Sequence, residues 1–387
     1  MQNAEFKKLE NNPECRINKQ HSKVNNNAEC VMLQGSTHHR PIICPCVFVF
    51  NSAFCIEFEG GVLLAKQFIK DLKIGAPVQS QFVVIDIQEI AYSSPSRSGE
   101  SFLKLKLGDV SGSIKGIIWD RSIVTEPIKQ DEILLVSGEV KEYHGPQLVI
   151  SYFEKINKEY ANRAHFQSTS PKDPKSMWKG LREIVAARVT DKNLLELLRL
   201  LFADENLVQK FMSAPAAKTI HHNYLGGLLE HTLEVIELSL KFAELYPDKI
   251  NEPLLVTGAI CHDLGKIEEY DRDSFTFQKT DKGQLLGHIT IGLGMIRELL
   301  AKLPSFPDSL RIELEHMLIS HHGEKEWGSP ELPQTINAFA LFHADLISAR
   351  LKQFVQIMET GGGDDPSWSR FDNFLGRKVY KSNFKGN

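Results

Sequence analysis

The sequence predicts a chain of two parts, a small five-stranded β-barrel followed by a domain built only of helices. Between residues 82 and 153, five short runs rich in β-branched residues are separated by turns. Beyond residue 177, apolar residues recur at helical spacing and no strong strand pattern returns. At 387 residues the chain is also longer than one ordinary domain, so two domains are expected.

The composition is that of a soluble globular protein, with 42% hydrophobic and 24% charged residues. Because the formal net charge is -4, any site for a polyanion must be a local basic patch or depend on a metal. The sequence shows no secretory signal and no apolar run of the about 20 residues that a membrane span needs. Five of the six cysteines precede residue 60, unlike the even spread of a secreted disulfide scaffold. We therefore expect a cytoplasmic protein with no membrane partner.

Residues 1–60 show little helical or strand periodicity. We interpret them as a disordered extension or as sequence ahead of the natural start. A zinc site centred on Cys44-Pro-Cys46 is an alternative, but this spacing does not match the usual cysteine pair of a zinc ligand set. We assign this segment no function.

Residues 66–157 carry the strand signals. The five predicted strands are 82–90, 102–107, 113–119, 133–140 and 147–153. Turns rich in Gly, Ser and Pro separate them, and a short helical turn is predicted near residues 122–125. Five short strands in this arrangement are typical of a Greek-key barrel of the OB type.

An OB barrel often binds single-stranded nucleic acid through a basic and aromatic groove. The residues that could form such a groove are Lys104, Lys106, Lys115, Phe102, Trp119 and Tyr143. From this set we predict Lys104, Lys106 and Trp119 as substrate-binding residues. Lys104 and Lys106 alternate with leucines, however, so an ordinary solvated strand face explains these two lysines almost as well.

The regions on either side of the predicted helical domain are polar. Residues 158–176 contain two prolines, which predicts a linker, and residues 177–360 form the helical domain. Residues 361–387 interleave basic and aromatic side chains, a composition that would suit a single strand. We predict that Tyr380 in this tail contacts the substrate. The alternative is that Tyr380 docks the C-terminus on the helical domain.

Several histidines and aspartates of the helical domain fall on apolar helix faces. Those at a spacing of three or four residues from apolar neighbours are His231, His262, Asp263, His321 and Asp345. A single buried histidine is more often a hydrogen-bonded core residue than a ligand. With His288 included, five helices or helix ends each bring such a side chain to the buried side, and a metal ion would pair all of them.

This set of side chains predicts the kind of metal and the reaction. Mixed ligation rich in histidine fits a first-row transition metal better than Mg²⁺. The ligands exceed the needs of one ion, so we predict two ions, with Asp263 as the bridge. Two ions about 3.5–4 Å apart would polarise a phosphate and generate hydroxide near neutral pH. Lys266, one turn after His262 on the same predicted helix, would neutralise phosphate charge. Asp263 and Lys266 are therefore the predicted catalytic residues.

Two other classes of enzyme lack support in the sequence. The helical part has no Gly-x-Ser-x-Gly elbow of a serine hydrolase, and the chain has no phosphate-binding P-loop.

The order of His231, His262-Asp263 and Asp345 resembles the HD superfamily of metal-dependent phosphohydrolases. The interposed His288 and His321-His322 resemble its two-metal branch. Three longer motifs resemble the YhaM family of 3′-5′ exoribonucleases: KTIHHNYLGGLLEHT at 218–232, CHDLGKIEEY at 261–270 and ISHHGEKEWGSPELPQT at 319–335. The resemblance extends over about residues 66–387.

This resemblance implies an N-terminal OB barrel followed by an HD domain, the same order that the strand and helix patterns predict. It implies manganese-dependent removal of nucleotides from RNA 3′ ends, with some activity on single-stranded DNA. Fe²⁺, Co²⁺ or Mg²⁺ would be alternatives to Mn²⁺. The implied ligands of the first metal are His231, His262, Asp263 and Asp345, and those of the second are His288 with one or both of His321 and His322.

Some details of the resemblance leave alternatives open. His221 and His222 are predicted to contact phosphate or substrate, and packing at the start of a helix explains them equally well. Trp327-Gly-Ser-Pro330 stands where the cyclic-di-GMP phosphodiesterases of the superfamily carry Gly-Tyr-Pro, which argues against a cyclic dinucleotide substrate. The other candidate functions are an HD-type nucleotide phosphohydrolase or cyclic-nucleotide phosphodiesterase, and a non-catalytic nucleic-acid-binding protein. A homo-oligomer is compatible with the sequence.

Overall fold

The computed structural model describes residues 66–217, 223–360, 365–373 and 375–381. The predicted extension and the pair His221-His222 lie outside these ranges. The described residues belong to one compact unit, in which a β-barrel and a helical domain are packed together. Among the described helices, none combines the length and the apolar character that crossing a membrane requires.

Five strands close the barrel. They are β1 (Pro77–Ala91), β2 (Ser101–Asp109), β3 (Gly112–Ile118), β4 (Ile133–Glu142) and β5 (Pro146–Ile156). The strand order around the barrel is β1-β2-β3-β5-β4, with β3 and β5 parallel and the other pairs antiparallel. A 3₁₀ turn at Arg121–Ile123 lies between β3 and β4. The predicted OB-type barrel is confirmed, together with the helical turn between its third and fourth strands.

Strand alternation decides which side chains fill the barrel. On β2, Leu103, Leu105 and Leu107 are buried in the barrel core, whereas Lys104 and Lys106 face outward between them. A bulge in β1 after Val84 bends this long strand so that it pairs with β4 over its first half and with β2 over its second. On the outward face of β2, Phe102 and Lys104 are half-buried and Lys106 is exposed.

The predicted linker is a packed connection. It forms two 3₁₀ turns, at Lys158–Tyr160 and Arg163–His165, and the side chains of the preceding asparagines cap both turns. Phe166 and Gln167 follow and are buried. The first α-helix begins at Pro174, a little before the predicted residue 177, because Asp173 caps it and proline suits the first helical position.

The described residues of the helical domain form nine α-helices. They are α1 (Pro174–Arg188), α2 (Lys192–Ala203), α3 (Glu205–Ser213), α4 (Gly227–Leu245), α5 (Glu252–Cys261), α6 (Lys266–Glu269), α7 (Asp281–Leu300), α8 (Asp308–Ser320) and α9 (Ile336–Thr360). Helix α4 packs between α5 and α9, and this central layer holds the largest apolar core of the chain. The fold therefore brings the facing sides of α4, α5 and α9 to one interior region.

Glu230 on α4 ties the packed connection to the helical core. Its side chain is buried, and its Oε2 accepts hydrogen bonds from Ser170 Oγ at 2.7 Å and from Tyr224 Oη at 2.8 Å. Lys352 Nζ on α9 donates to Oε1 at 3.2 Å. Burial alone would raise the pKa of Glu230, but these donors and the lysines outweigh it and lower the pKa to about 2.

We expect Glu230→Gln to lower the free energy of unfolding by about 1–3 kcal/mol near neutral pH, because the buried donors lose a charged acceptor. Since the folded pKa is depressed, the carboxylate contributes fully above its ordinary pKa of 4.5, and the contribution is lost as the pH falls toward about 2. Urea unfolding of metal-free wild type and variant should therefore converge over this range. A difference that stays constant down to the lowest pH would contradict this role.

Candidate metal centre

Asp263 lies at the junction between α5 and α6. The sequence predicted one helix running through this stretch, but α5 ends at Cys261 and α6 begins only at Lys266. The turn between them contacts α7 directly, since a Cβ on Gly265 would lie 2.0 Å from His288 O and 2.6 Å from Gly292 N. Only glycine permits this approach, which brings the start of α7 and its histidine beside Asp263.

The first ligand group consists of His231, His262, Asp263 and Asp345. His231 Nε2 lies 3.0 Å from Asp345 Oδ1 and 3.3 Å from His262 Nε2. Asp263 Oδ2 lies 3.3 Å from His262 Nε2 and 3.6 Å from His231 Nε2. Two ring nitrogens and two carboxylates thus converge on one point from α4, from the α5–α6 turn and from α9.

The second ligand group consists of Asp263, His288, His321 and His322. The three histidines offer ring nitrogens that all lie within 4.8 Å of one another. Asp263 Oδ1 lies 3.5 Å from His288 Nε2 and 3.7 Å from His321 Nε2. The two oxygens of Asp263 therefore face different histidine groups, which is the arrangement that a bridging carboxylate needs. Both His321 and His322 take part in this group.

Hydrogen bonds to the outer ring nitrogens orient the histidines. His262 Nδ1 donates to Ala259 O at 2.8 Å and His321 Nδ1 donates to Leu318 O at 2.7 Å. A carbonyl oxygen can only accept, so each Nδ1 carries a proton and Nε2 points inward, where it has a free lone pair whenever the ring is neutral. His322 Nδ1 makes the equivalent bond to a carbonyl, Trp327 O, at 3.1 Å.

Carboxylates orient the other two histidines. His231 Nδ1 lies 3.1 Å from Ser348 Oγ, which itself donates to Glu234 Oε2 at 2.8 Å, so the serine oxygen accepts from the imidazole. His288 Nδ1 lies 3.4 Å from Glu269 Oε2. Such outer partners raise the basicity of a metal-binding histidine and hold its ring in place. Sequence reasoning missed Ser348, Glu234 and Glu269, although Ser348 follows Asp345 by one helical turn.

Three converging buried atoms indicate that a cation belongs here. Within the described part of the chain, Asp263 Oδ1, His288 Nε2 and His321 Nε2 are buried and make no hydrogen bond. An unsatisfied buried polar atom costs about 1–3 kcal/mol, and nitrogen lone pairs facing a carboxylate repel one another without a positive charge between them. Imidazole nitrogens with carboxylate oxygens are a donor set that divalent metals accept. The residues present therefore fit a divalent metal.

The pKa shifts differ among the histidines, and burial lowers the pKa of His231 in the first group. Burial opposes a charge on His262, but the carboxylates of Asp263 and Asp345 outweigh it and raise its pKa. In the second group burial dominates, since it lowers the pKa of His288 and His321 and brings the pKa of His322 to about 4. The three histidines of the second group are therefore mainly neutral near pH 7, which is the form of imidazole that binds metal.

Lys266 contacts the central carboxylate. Its Nζ donates to Asp263 Oδ2 at 2.6 Å, and its side chain is largely buried. Although burial alone would raise the pKa of Asp263, Lys266 and His262 hold it well below its usual range. Lys266 thus keeps the ligand ionised. The phosphate contact predicted for Lys266 stays a prediction.

The predicted substrate-binding residues of the barrel lie on its outer face. Lys104 and Lys106 on β2 stand opposite β3, where Lys115 pairs with Lys106. Trp119 is 41% exposed and packs against Phe102, with 4.6 Å between ring centroids.

The structure adds two residues to this face that the sequence did not single out. Tyr92 completes an aromatic cluster with Phe102 and Trp119, at centroid distances of 5.1 and 6.1 Å. Arg97 lies over Tyr92, 3.5 Å from its ring centroid. Tyr143 is exposed in the turn between β4 and β5, outside this cluster.

The position of Tyr380 in the tail is compatible with both roles considered for it, docking the C-terminus and contacting the substrate. It pairs with Trp368 in a β-bridge, and the two rings meet edge-on at 5.1 Å. Tyr380 remains 57% exposed, whereas its neighbour Val379 is buried. Gln353 Nε2 on α9 donates to Asp372 Oδ1 at 3.1 Å. The tail thus docks on the helical domain and still presents an aromatic side chain.

We expect Asp263→Asn to weaken Mn²⁺ binding by more than about 100-fold, because each ligand group loses its shared carboxylate. Calorimetric titration of the metal-stripped chain measures this directly. His343→Ala is the matched control, since His343 lies two residues before Asp345 but contacts the rings of Phe339 and Phe342. The control should bind as wild type. Unchanged metal binding by the Asn variant would refute the bridging role.

Comparison with known proteins places this architecture in a family. Residues 228–350 match the HD domain. The 3′-5′ exoribonuclease YhaM of Geobacillus sp. is 33% identical over 265 residues, which cover 68% of this chain and 80% of that protein. The YhaM of Bacillus subtilis is 31% identical over 265 residues, 68% of this chain and 82% of its own. A domain of replication protein A from Methanococcus maripaludis is 22% identical, covers 24% of this chain and 96% of that chain, and has a TM-score of 0.21. The chain described here belongs to the YhaM family of 3′-5′ exoribonucleases.

Proposed function

We propose that this protein hydrolyses single-stranded RNA from its 3′ end in a metal-dependent reaction that releases 5′-mononucleotides. The observation that carries the proposal is the meeting of two histidine groups on the two oxygens of Asp263. Relatives that share about 30% of their residues over most of their length are named 3′-5′ exoribonucleases. Hydrolysis of a phosphodiester bond fits both this candidate metal centre and the activity for which these relatives are named.

Two divalent ions are part of this proposal, one in each ligand group. We favour Mn²⁺ over Mg²⁺. The site offers five imidazoles and two carboxylates, and Mg²⁺ prefers oxygen ligands, whereas a first-row transition metal accepts nitrogen and oxygen together. When bound, the ions would polarise the scissile phosphate and lower the pKa of a water molecule. The protein would contribute the rest: ionised Asp263 kept in place by Lys266, and histidines held by their outer hydrogen bonds.

The barrel supplies a surface for the strand. Phe102, Trp119 and Tyr92 present aromatic faces on which bases can stack, and Lys104 and Lys106 extend from the same outer face of β2 toward solvent. Stacking on aromatic rings tolerates any base, and lysines attract the phosphates. Single-stranded DNA offers the same bases and phosphates, so we propose it as a second substrate. A polymer-binding face argues against a mononucleotide as the natural substrate.

We also propose that the protein works in the cytoplasm. The uneven distribution of cysteines supports this location, and Cys261, the cysteine within the described residues, is a free and buried thiol.

With Mn²⁺ and a 5′-labelled single-stranded RNA, we expect a ladder that shortens from the 3′ end, read on a sequencing gel. A circular form of the same RNA should remain intact, because it has no 3′ end. Asp263→Asn should leave both RNAs intact. Cleavage of the circle would indicate an endonuclease, and an untouched linear RNA beside a hydrolysed mononucleotide would favour the phosphohydrolase alternative.

We expect Trp119→Ala to raise the KM for a long RNA by about 5- to 150-fold with kcat nearly unchanged, since one stacked base is worth about 1–3 kcal/mol. A dinucleotide, which offers fewer bases for stacking and fewer phosphates, should show a smaller change. Tyr152→Ala is the matched control, because Tyr152 is an exposed aromatic residue of β5 outside the aromatic cluster. An equal effect of both variants would argue against a specific strand-binding site.

A further inference from the structure

The barrel holds one loop of the helical domain through a single buried carboxylate. Asp131 lies just before β4, adopts a left-handed backbone with φ of 71°, and is 6% exposed. Its own N–H donates to Val84 O at 2.7 Å, which anchors it to β1. Its Oδ1 accepts four hydrogen bonds, from Ser274 Oγ at 2.9 Å, Phe275 N at 2.8 Å, and Thr276 N and Oγ1 at 2.7 and 2.8 Å.

Other contacts make this attachment rigid. Lys158 pairs with Asp131 Oδ2 from the connection that follows the barrel. Phe275 is buried in an apolar cluster with Val83 and Ile133 of the barrel and Phe166 of the connection. A loop held by so many buried contacts is fixed relative to the barrel.

The loop that Asp131 holds, residues 270–280, leads directly to the second ligand group. Its two ends are joined by a β-bridge between Tyr270 and Lys279. Lys279 Nζ lies 2.8 Å from Glu269 Oε1, and Thr280 N donates to Glu269 O at 2.9 Å. Glu269 Oε2 in turn lies 3.4 Å from His288 Nδ1. A continuous path of contacts therefore runs from Asp131 through the loop and Glu269 to a metal-facing imidazole.

His288 depends on such support more than His262 and His321 do. It follows Gly287, where φ of 70° breaks the helical path of α7. His262 and His321 bond to a carbonyl of the preceding helical turn, but His288 is held by Glu269, a side chain of another element. The position of the Glu269 carboxylate thus decides where the imidazole of His288 points.

We propose that Asp131 is a positioning residue for the second ligand group: by fixing the loop 270–280, the barrel holds Glu269, and through it His288, in the orientation that binds a metal. The proposal rests on the proposed function only in naming RNA hydrolysis as the activity affected. The barrel thus serves the metal centre as well as the RNA strand.

The test is Mn²⁺ titration of the full metal-stripped chain, which requires no RNA. We expect Asp131→Ala to weaken one of two bound ions by about 10–100-fold, the usual effect of removing an outer partner of a ligand, and to leave the other ion unchanged. Asp131→Asn retains the Oδ1 acceptor and should recover most of the lost affinity. RNA binding by the metal-free Ala variant should equal that of wild type, since the aromatic cluster is untouched.

Asp109→Ala is the matched control for general damage to the barrel. Asp109 is 7% exposed and accepts from Ile69 N at 2.8 Å and Ser111 N at 2.8 Å, all within the barrel region. In the described structure it makes no contact with the loop 270–280. This variant should lower barrel stability and leave the affinity for both ions unchanged.

Two outcomes would overturn the positioning role: wild-type affinity for both ions in Asp131→Ala, or an equal loss of the same ion in Asp109→Ala. The readout also separates the two proposals. If Asp131→Ala selectively loses one ion but wild type leaves RNA intact, the proposed function is wrong and the positioning role stands. If wild type degrades RNA and Asp131→Ala binds both ions normally, the positioning role alone is wrong.

Discussion

The burial of Asp263 among histidines is the constraint on which the site depends. The residue is 2% exposed, and its Oδ1 makes no hydrogen bond among the described residues. Lys266 compensates the charge on one side only, through Oδ2. A buried carboxylate with an unpaired oxygen is destabilising unless a cation completes its surroundings. Gly265 and the packing of α4, α5 and α9 place imidazole nitrogens, rather than apolar side chains, around the carboxylate of Asp263.

A comparison of two buried aspartates separates a structural role from a metal-binding one. Asp131 is buried, as Asp263 is, yet one of its oxygens accepts four hydrogen bonds and the other pairs with Lys158. Both oxygens of Asp131 therefore have partners within the protein, and these bonds hold a loop in place. Asp263 has one oxygen, Oδ1, without a hydrogen bond in the described residues, and it faces the equally unpaired Nε2 atoms of His288 and His321. The proposed positioning role links the two, because the loop that Asp131 holds supports a histidine that faces Asp263.

Several parts of the structure follow from local patterns and were predictable. Strict alternation in residues 102–107 predicts a strand with leucines inside, and the spacing around His231 predicts its burial on a helix face. These patterns depend on the period of a single element. The break after Cys261 was not predictable in this way, because Gly265 there contacts the backbone of His288 and Gly292 on α7, more than twenty residues later in the chain. The packing of the predicted linker escaped prediction for the same reason.

The sequence by itself determined the two-part architecture and predicted the candidate ligands, since both depend on the spacing of residue types along one element. Tertiary structure alone decided how those ligands divide into two groups and which oxygen of Asp263 faces each. It also decided that Lys266 pairs with Asp263 and that Glu269 supports His288. These are relations between side chains on different elements. Their distances are fixed only when burial of the apolar core brings the helices and the barrel together.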